Sequence, residues 1–132
     1  MSATFVDPPG LAPSPGYTHA VVRRGTPVFV TGQIALDASG ALVGRGDIAA
    51  QVAQVWANIR TLCEGLGATL QDIVKLTTYT TSRAYLEAIG AERRRHFEPG
   101  AFPASTFLVV SELASPDYLV EIEAIVVLPE DR

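Results

Sequence analysis

The chain is short of cysteine, of positive charge and of long apolar runs, and each shortage removes a class of protein. Its single cysteine, Cys63, cannot close a disulfide within the chain, and such economy suits a reducing compartment. Lys and Arg number 10 against 14 Asp and Glu, giving a net charge of −4 and a pI near 5.0. Nucleic-acid binders present a basic face, so no nucleic-acid partner is expected. No apolar run approaches the ~18 residues of a membrane-spanning helix, and no charged segment followed by an apolar one marks a secretion signal. The expectation is a cytoplasmic domain with no membrane partner. The two histidines, His19 and His96, have no ligand spacing with each other or with acids, so no metal site is expected. Gly40, Gly44 and Gly46 lack the lysine and the strand-to-helix context of a phosphate loop.

What is present is a globular composition: 132 residues, 48% hydrophobic and 18% charged. A chain of this size buries about two-thirds of its unfolded surface, so residues 1–132 read as one domain. Residues 1–16 are expected to be an irregular lead-in, because four prolines and two glycines crowd Asp7 to Gly16. Strands are expected over Tyr17–Val22 and Val28–Ala35, with Gly32 marking a bulge or a close approach to the backbone. Asp47 is a candidate N-cap. After it Ile48, Val52, Val55, Ile59, Leu62 and Leu66 recur at helical spacing, up to a stop at Gly65 and Gly67. Gln71–Thr80 turns to β-branched residues and period two, and a second helix spans about Arg83 to Phe97. Arg93-Arg94-Arg95-His96 falls in its last turn, where cations complement the helix dipole, and reads as a solvated basic face. Two strands close the chain, Phe102–Val110 and Leu119–Val127. The order β-β-α-β-α-β-β predicts an α+β sandwich with helices on one face of a sheet.

The last strand alternates. Val120, Ile122, Ala124 and Val126 share one face, while Glu121 and Glu123 share the other with Leu119, Ile125 and Val127. Two carboxylates on a partly apolar second face call for an explanation. The apolar content of that face, shared by Val28–Ile34, points to a closed homo-oligomer.

Several segments in this order carry a resemblance: Pro15-Gly16-Tyr17, Val28-Phe29-Val30-Thr31-Gly32-Gln33-Ile34, Gln51 with Asn58-Ile59, Asp72-Ile73-Val74-Lys75, Phe102-Pro103-Ala104-Ser105, and Val120-Glu121-Ile122-Glu123-Ala124-Ile125. Together they resemble the Rid family of reactive-intermediate deaminases, also called YjgF/YER057c/UK114 proteins, from about Tyr17 to Val127. The resemblance implies a chorismate-mutase-like α+β subunit, a homotrimer whose sheets form a central barrel, and a small-molecule cleft at each subunit interface. It implies hydrolysis of enamines or imines to a 2-keto acid and ammonia, with no cofactor. RNA cleavage has been attached to relatives, and the acidic charge of this chain argues against it.

The same resemblance assigns candidate residues. Glu121 matches the glutamate that helps to place the attacking water, and Tyr17 a tyrosine that closes the cleft. Independently of the resemblance, Thr31 and Gln33 flank Gly32, the expected bulge, where hydroxyl and backbone groups are expected to line a pocket. Deaminating members carry an arginine after the Pro-Ala pair, whose planar fork grips the substrate carboxylate. Here Pro103-Ala104 is followed by Ser105 and Thr106, so these hydroxyls are the expected ligand contacts and a different substrate is implied. A second reading keeps the trimeric clefts as binding or regulatory sites without chemistry.

Overall fold

The sequence of the last strand explains most of the architecture. In the computed structural model, which describes residues 3–130, β6 (Val120–Leu128) alternates strictly from Val120 to Val126. Val120, Ile122, Ala124 and Val126 are at most 4% exposed, whereas Glu121, Glu123 and Ile125 lie half-buried on the opposite face. The buried residues meet α1 (Ile48–Gly65), whose Val52, Val55, Trp56, Ile59 and Cys63 complete the core. A strand with period two and a helix with period 3.6 have each turned one apolar face to the other.

The remaining strands are β1 (Thr4–Val6), β2 (Ala20–Val22), β3 (Thr26–Gln33), β4 (Ile73–Thr80) and β5 (Ala104–Val109); a second helix, α2, spans Leu86–Arg94. The main sheet runs β3-β6-β4-β5, antiparallel except for the parallel β4–β5 pair. The two closing strands are thus sequential but not adjacent. β4 lies between them, and the Ser111–Tyr118 connection passes its end. The expected α+β arrangement, with both helices over one face, is the observed one.

Four local expectations are refined. Thr4–Val6 is not part of an irregular lead-in: it pairs antiparallel with β2, Phe5 opposite Val21. The strand expected from Tyr17 begins only at Ala20. Thr18 instead bridges to Ala104, its amide donating to the Pro103 carbonyl at 3.2 Å. In α1, Asp47 caps as expected, its carboxylate accepting from the Ala50 amide at 3.1 Å. Leu62, however, leaves the buried stripe and is 36% exposed, its place taken by Cys63. The second helix stops at Arg94, because the amides of Arg95 and His96 bond to Glu92 and Arg93 three residues back, tightening the last turn.

Polar side chains fasten the loops. Gln51, fully buried, donates to the carbonyls of Gly44 (3.1 Å) and Asp117 (2.9 Å) and accepts from the Leu119 amide (2.9 Å). Asn58 donates to the carbonyls of Ile34 and Leu36, fixing the chain as it leaves β3. The buried Asp72 carboxylate accepts from the Thr69 amide and pairs with Arg23 at 2.8 Å. These contacts give Gln51, Asn58 and Asp72 a positional task that composition alone does not show.

Candidate functional site

A glycine and a glutamate define the first site. On β3, Val30 faces Ala124 and Gln33 faces Ile122, so three steps on β3 match two on β6. The extra residue is the bulge that Gly32 foreshadowed. A Cβ at Gly32 would lie 2.0 Å from Glu121 Oε2 and 2.8 Å from its Cδ. The φ of Gly32 is not in the left-handed region, so what the position requires is space. Glycine here makes the seat for the Glu121 carboxylate.

Glu121 stands on the face of the sheet that the helices leave open. Desolvation, with a smaller contribution from the charge of Glu123, raises its pKa above the ordinary carboxylate value. Such a carboxylate holds its proton to higher pH and accepts one more readily once ionised, which is what placing and deprotonating a water requires. Glu123, two residues on, accepts a 2.6 Å hydrogen bond from the Tyr79 hydroxyl. That bond is the largest cause of the raised pKa of Tyr79. Tyr79 is also the register partner of Glu121 in the β4–β6 ladder, so both acids lie beside one tyrosine. Thr31 is exposed on β3 next to the bulge, and the Gln33 amide folds back to donate to the Thr31 carbonyl at 3.2 Å. A groove of about 520 Å³ between the end of β3 and α1 is lined by Gly32, Gln33, Gln54, Asn58 and Leu62. On the open face a smaller hollow of about 230 Å³ lies among Phe29, Lys75, Thr77, Glu123 and Ile125.

The two hydroxyls of the Pro-Ala turn do not act together. Neighbouring residues of a strand point to opposite faces, and β5 follows the rule. Thr106 faces the open side, accepting from Lys75 Nζ at 2.6 Å. Ser105 faces the helices, where Arg93 Nη1 donates to its Oγ at 3.4 Å. Two strand spacings, about 10 Å, separate β5 from β6, so within one chain Ser105 and Glu121 do not share a pocket. Tyr17 belongs to the Ser105 side, since Thr18 bridges to Ala104; its ring meets His19 edge-on at 5.4 Å.

Three residues of these sites escaped the sequence reading. Lys75 and Tyr79 could have been found from the period-two pattern of β4 once it was known to neighbour β6. Arg93 is the larger correction: it is no part of a solvated basic face but 7% exposed, its guanidinium 5.7 Å from the centre of the Phe107 ring. His96 also turns inward, stacking on Trp56 at 4.7 Å and pairing with Glu92 at 2.8 Å. A hollow of about 440 Å³ beside it is lined by Arg60, Cys63 and Glu98, away from every residue expected at the site. Burial raises the Cys63 pKa, which suits a small core residue rather than a nucleophile. Among the described residues no three His, Cys, Asp or Glu side chains gather as metal ligands, and no helix is long and apolar enough to cross a membrane.

A four-stranded sheet with two helices on one face and a bulge-seated glutamate on the other defines an α+β protein of the Rid/YjgF type. A family model for the endoribonuclease L-PSP family matches residues 9–128. The chain belongs to that family, which includes the Rid and YjgF/YER057c/UK114 proteins. It is 34% identical over 115 residues to a RutC family protein of Pyrococcus abyssi, covering 86% of this chain and 89% of the relative. It is 31% identical over 119 residues to the 2-iminobutanoate/2-iminopropanoate deaminase of Dermatophagoides farinae, covering 89% of this chain and 91% of that one. Among solved structures, the Rid family protein YyfB of Yersinia pestis superposes with a TM-score of 0.90 at 38% identity, over 97% of this chain and all of that one.

Proposed function

We propose that the chain assembles into a homotrimer whose intersubunit clefts hydrolyse a reactive imine or enamine, releasing a carbonyl compound and ammonia. The observation that carries this reading is the Glu121 carboxylate, desolvated in the seat that Gly32 leaves open. Water adds to the imine carbon while Glu121 holds and deprotonates it. The nitrogen then takes up protons and leaves as ammonia, and the carbon–oxygen double bond forms. Every atom of the product comes from the imine and one water, so no redox partner is required. Similarity to a 2-iminobutanoate/2-iminopropanoate deaminase supports the reaction class.

The trimer rests on the open face. On that face Phe29 is 76% exposed and Leu108 is 43% exposed. Apolar residues gathered on one sheet face are the mark of a surface that becomes buried. Assembly would also bring Ser105 and Tyr17 of one subunit within reach of a neighbour's Glu121, which a single chain does not do.

Two measurements test the reading. An amino-acid oxidase generates 2-iminobutanoate, and semicarbazide traps what the protein has not yet hydrolysed. The wild type is expected to speed the loss of imine, and Glu121→Gln to abolish that acceleration. Trapping unaffected by the wild-type protein, across several side chains, would sink the hydrolase and leave a trimer that binds without chemistry. In sedimentation the wild type is expected to move as three chains; a stable single chain of 14.0 kDa overturns the assembly.

A further inference from the structure

Arg93 is buried in a way that stability alone does not explain. It is 7% exposed, and among the described residues no carboxylate pairs with it. Its Nε has no hydrogen-bond partner, and its Nη1 reaches only the neutral Ser105 Oγ, at the long distance of 3.4 Å. Burial and the neighbouring charge of Arg94 both disfavour its charged form. The sole compensations visible are the face of Phe107 and a place in the last turn of α2, where the helix dipole favours a cation. A guanidinium largely withdrawn from water, with its Nε donor unspent and Nη1 held only by a long bond to a neutral hydroxyl, is set up to receive an anion.

Its surroundings are built for close approach. Gly16, at φ 78°, passes directly over the guanidinium: a Cβ there would lie 3.2 Å from Arg93 Nη2. The strap that Gly16 begins is held to β5 by the Thr18–Pro103 hydrogen bond and carries Tyr17 at its edge. The aliphatic stem of Arg94 packs against the same glycine, and its charge is near enough to act on Arg93. Ser105 supplies a hydroxyl able to donate a further hydrogen bond.

We infer that Arg93 and Ser105, under the Gly16–Tyr17 strap, form a seat for the carboxylate of a small organic acid. The guanidinium comes from α2 rather than from β5, so Ser105 does not leave the site without a cation; it vacates the room through which Arg93 reaches the strand. The fork of Arg93 is planar and suits a planar two-oxygen anion better than a tetrahedral one. Choosing a keto acid as the probe rests on the proposed imine chemistry, whereas the seat itself requires only a carboxylate.

The test is calorimetric titration of the full chain with 2-oxobutanoate, with propanoate, with the neutral 2-oxobutanamide and with inorganic phosphate. Saturable binding of both carboxylates is expected, at least tenfold tighter than the amide, as loss of a charge-assisted contact implies. Arg93→Gln should weaken the carboxylates about tenfold or more and leave the amide unchanged, while Glu121→Gln should retain carboxylate binding. Ser105→Asp guards against misfolding. By placing a fixed carboxylate on Arg93 it should raise the melting temperature and weaken 2-oxobutanoate. Equal carboxylate affinity in folded Arg93→Gln or in Ser105→Asp, no saturable binding by the wild type, or phosphate binding as tightly as propanoate each overturns the inference. Propanoate binding that depends on Arg93 in a protein inert towards 2-iminobutanoate would uphold the seat while refuting the hydrolase.

Discussion

The two faces of the sheet use the same strands for opposite purposes. On the helix side Leu76, Thr78, Val120, Ile122 and Val126 are at most 1% exposed and pack against Val52, Val55 and Ile59. On the open side Phe29, Lys75, Tyr79, Glu121 and Glu123 alternate with them, residue by residue. One face has every property of a core. The other carries acids, a lysine and an exposed phenylalanine that a core would reject. The comparison teaches that β6 carries the core and the candidate site in one strand, separated only by the pleat. A one-residue slip in its register would exchange the two.

Substitutions can break that contrast, and their effects should rank by face. Trp56→Ala, removing a ring that is 1% exposed, is expected to cost about 3–5 kcal/mol of stability in urea unfolding. Gln51→Ala leaves the Gly44 and Asp117 carbonyls and the Leu119 amide unmatched in the interior, and about 3 kcal/mol is expected in the same assay. Gly32→Ala lies on the boundary between the faces. The added methyl falls on the Glu121 carboxylate, so a cost of about 1–3 kcal/mol should accompany loss of any Glu121-dependent rate. Phe29→Arg, on the open face, should change the stability of the isolated fold by no more than about 0.5 kcal/mol. The same substitution should reduce the sedimenting mass to that of one chain. If Phe29→Arg unfolded the chain as Trp56→Ala does, the distinction between the faces would collapse.

Much of this was legible in the sequence because periodicity reports burial directly. The alternation of Val120–Val126, the Asp47 cap and the break at Gly32 each announced a feature that the structure contains. Leu62 misled because helical spacing admits either 62 or 63 after Ile59, and only the position of the sheet decides for Cys63. Thr4–Val6 was hidden by its brevity and by the prolines behind it; its partner β2, beyond the proline-rich connection, makes it a strand. The site was legible in part. Glu121 and Gly32 meet as neighbours across a bulge, which spacing can suggest. Ser105 and Thr106 looked like one pair of ligands, yet adjacent strand residues face apart, and the pairing of β5 with β4 sends each to a different side. Arg93 was illegible for a physical reason. A run of three arginines reads as solvated, and nothing local says that the first of them points under a glycine strap.

The central claim is that Glu121, on the open face, performs chemistry with a carboxylate whose proton is held more tightly than usual. Its folded pKa is raised above its unfolded value, so folding favours the protonated form. Stability therefore declines as pH rises from the ordinary carboxylate value through the raised one. The ionised form grows through that window and predominates above it. The direct measurement is the rate of 2-iminobutanoate loss, by semicarbazide trapping, as a function of pH. The account predicts a wild-type rate that falls on acidification at a pH above the ordinary carboxylate value, and a Glu121→Gln protein with no such limb and no acceleration. An unchanged profile in Glu121→Gln would contradict it.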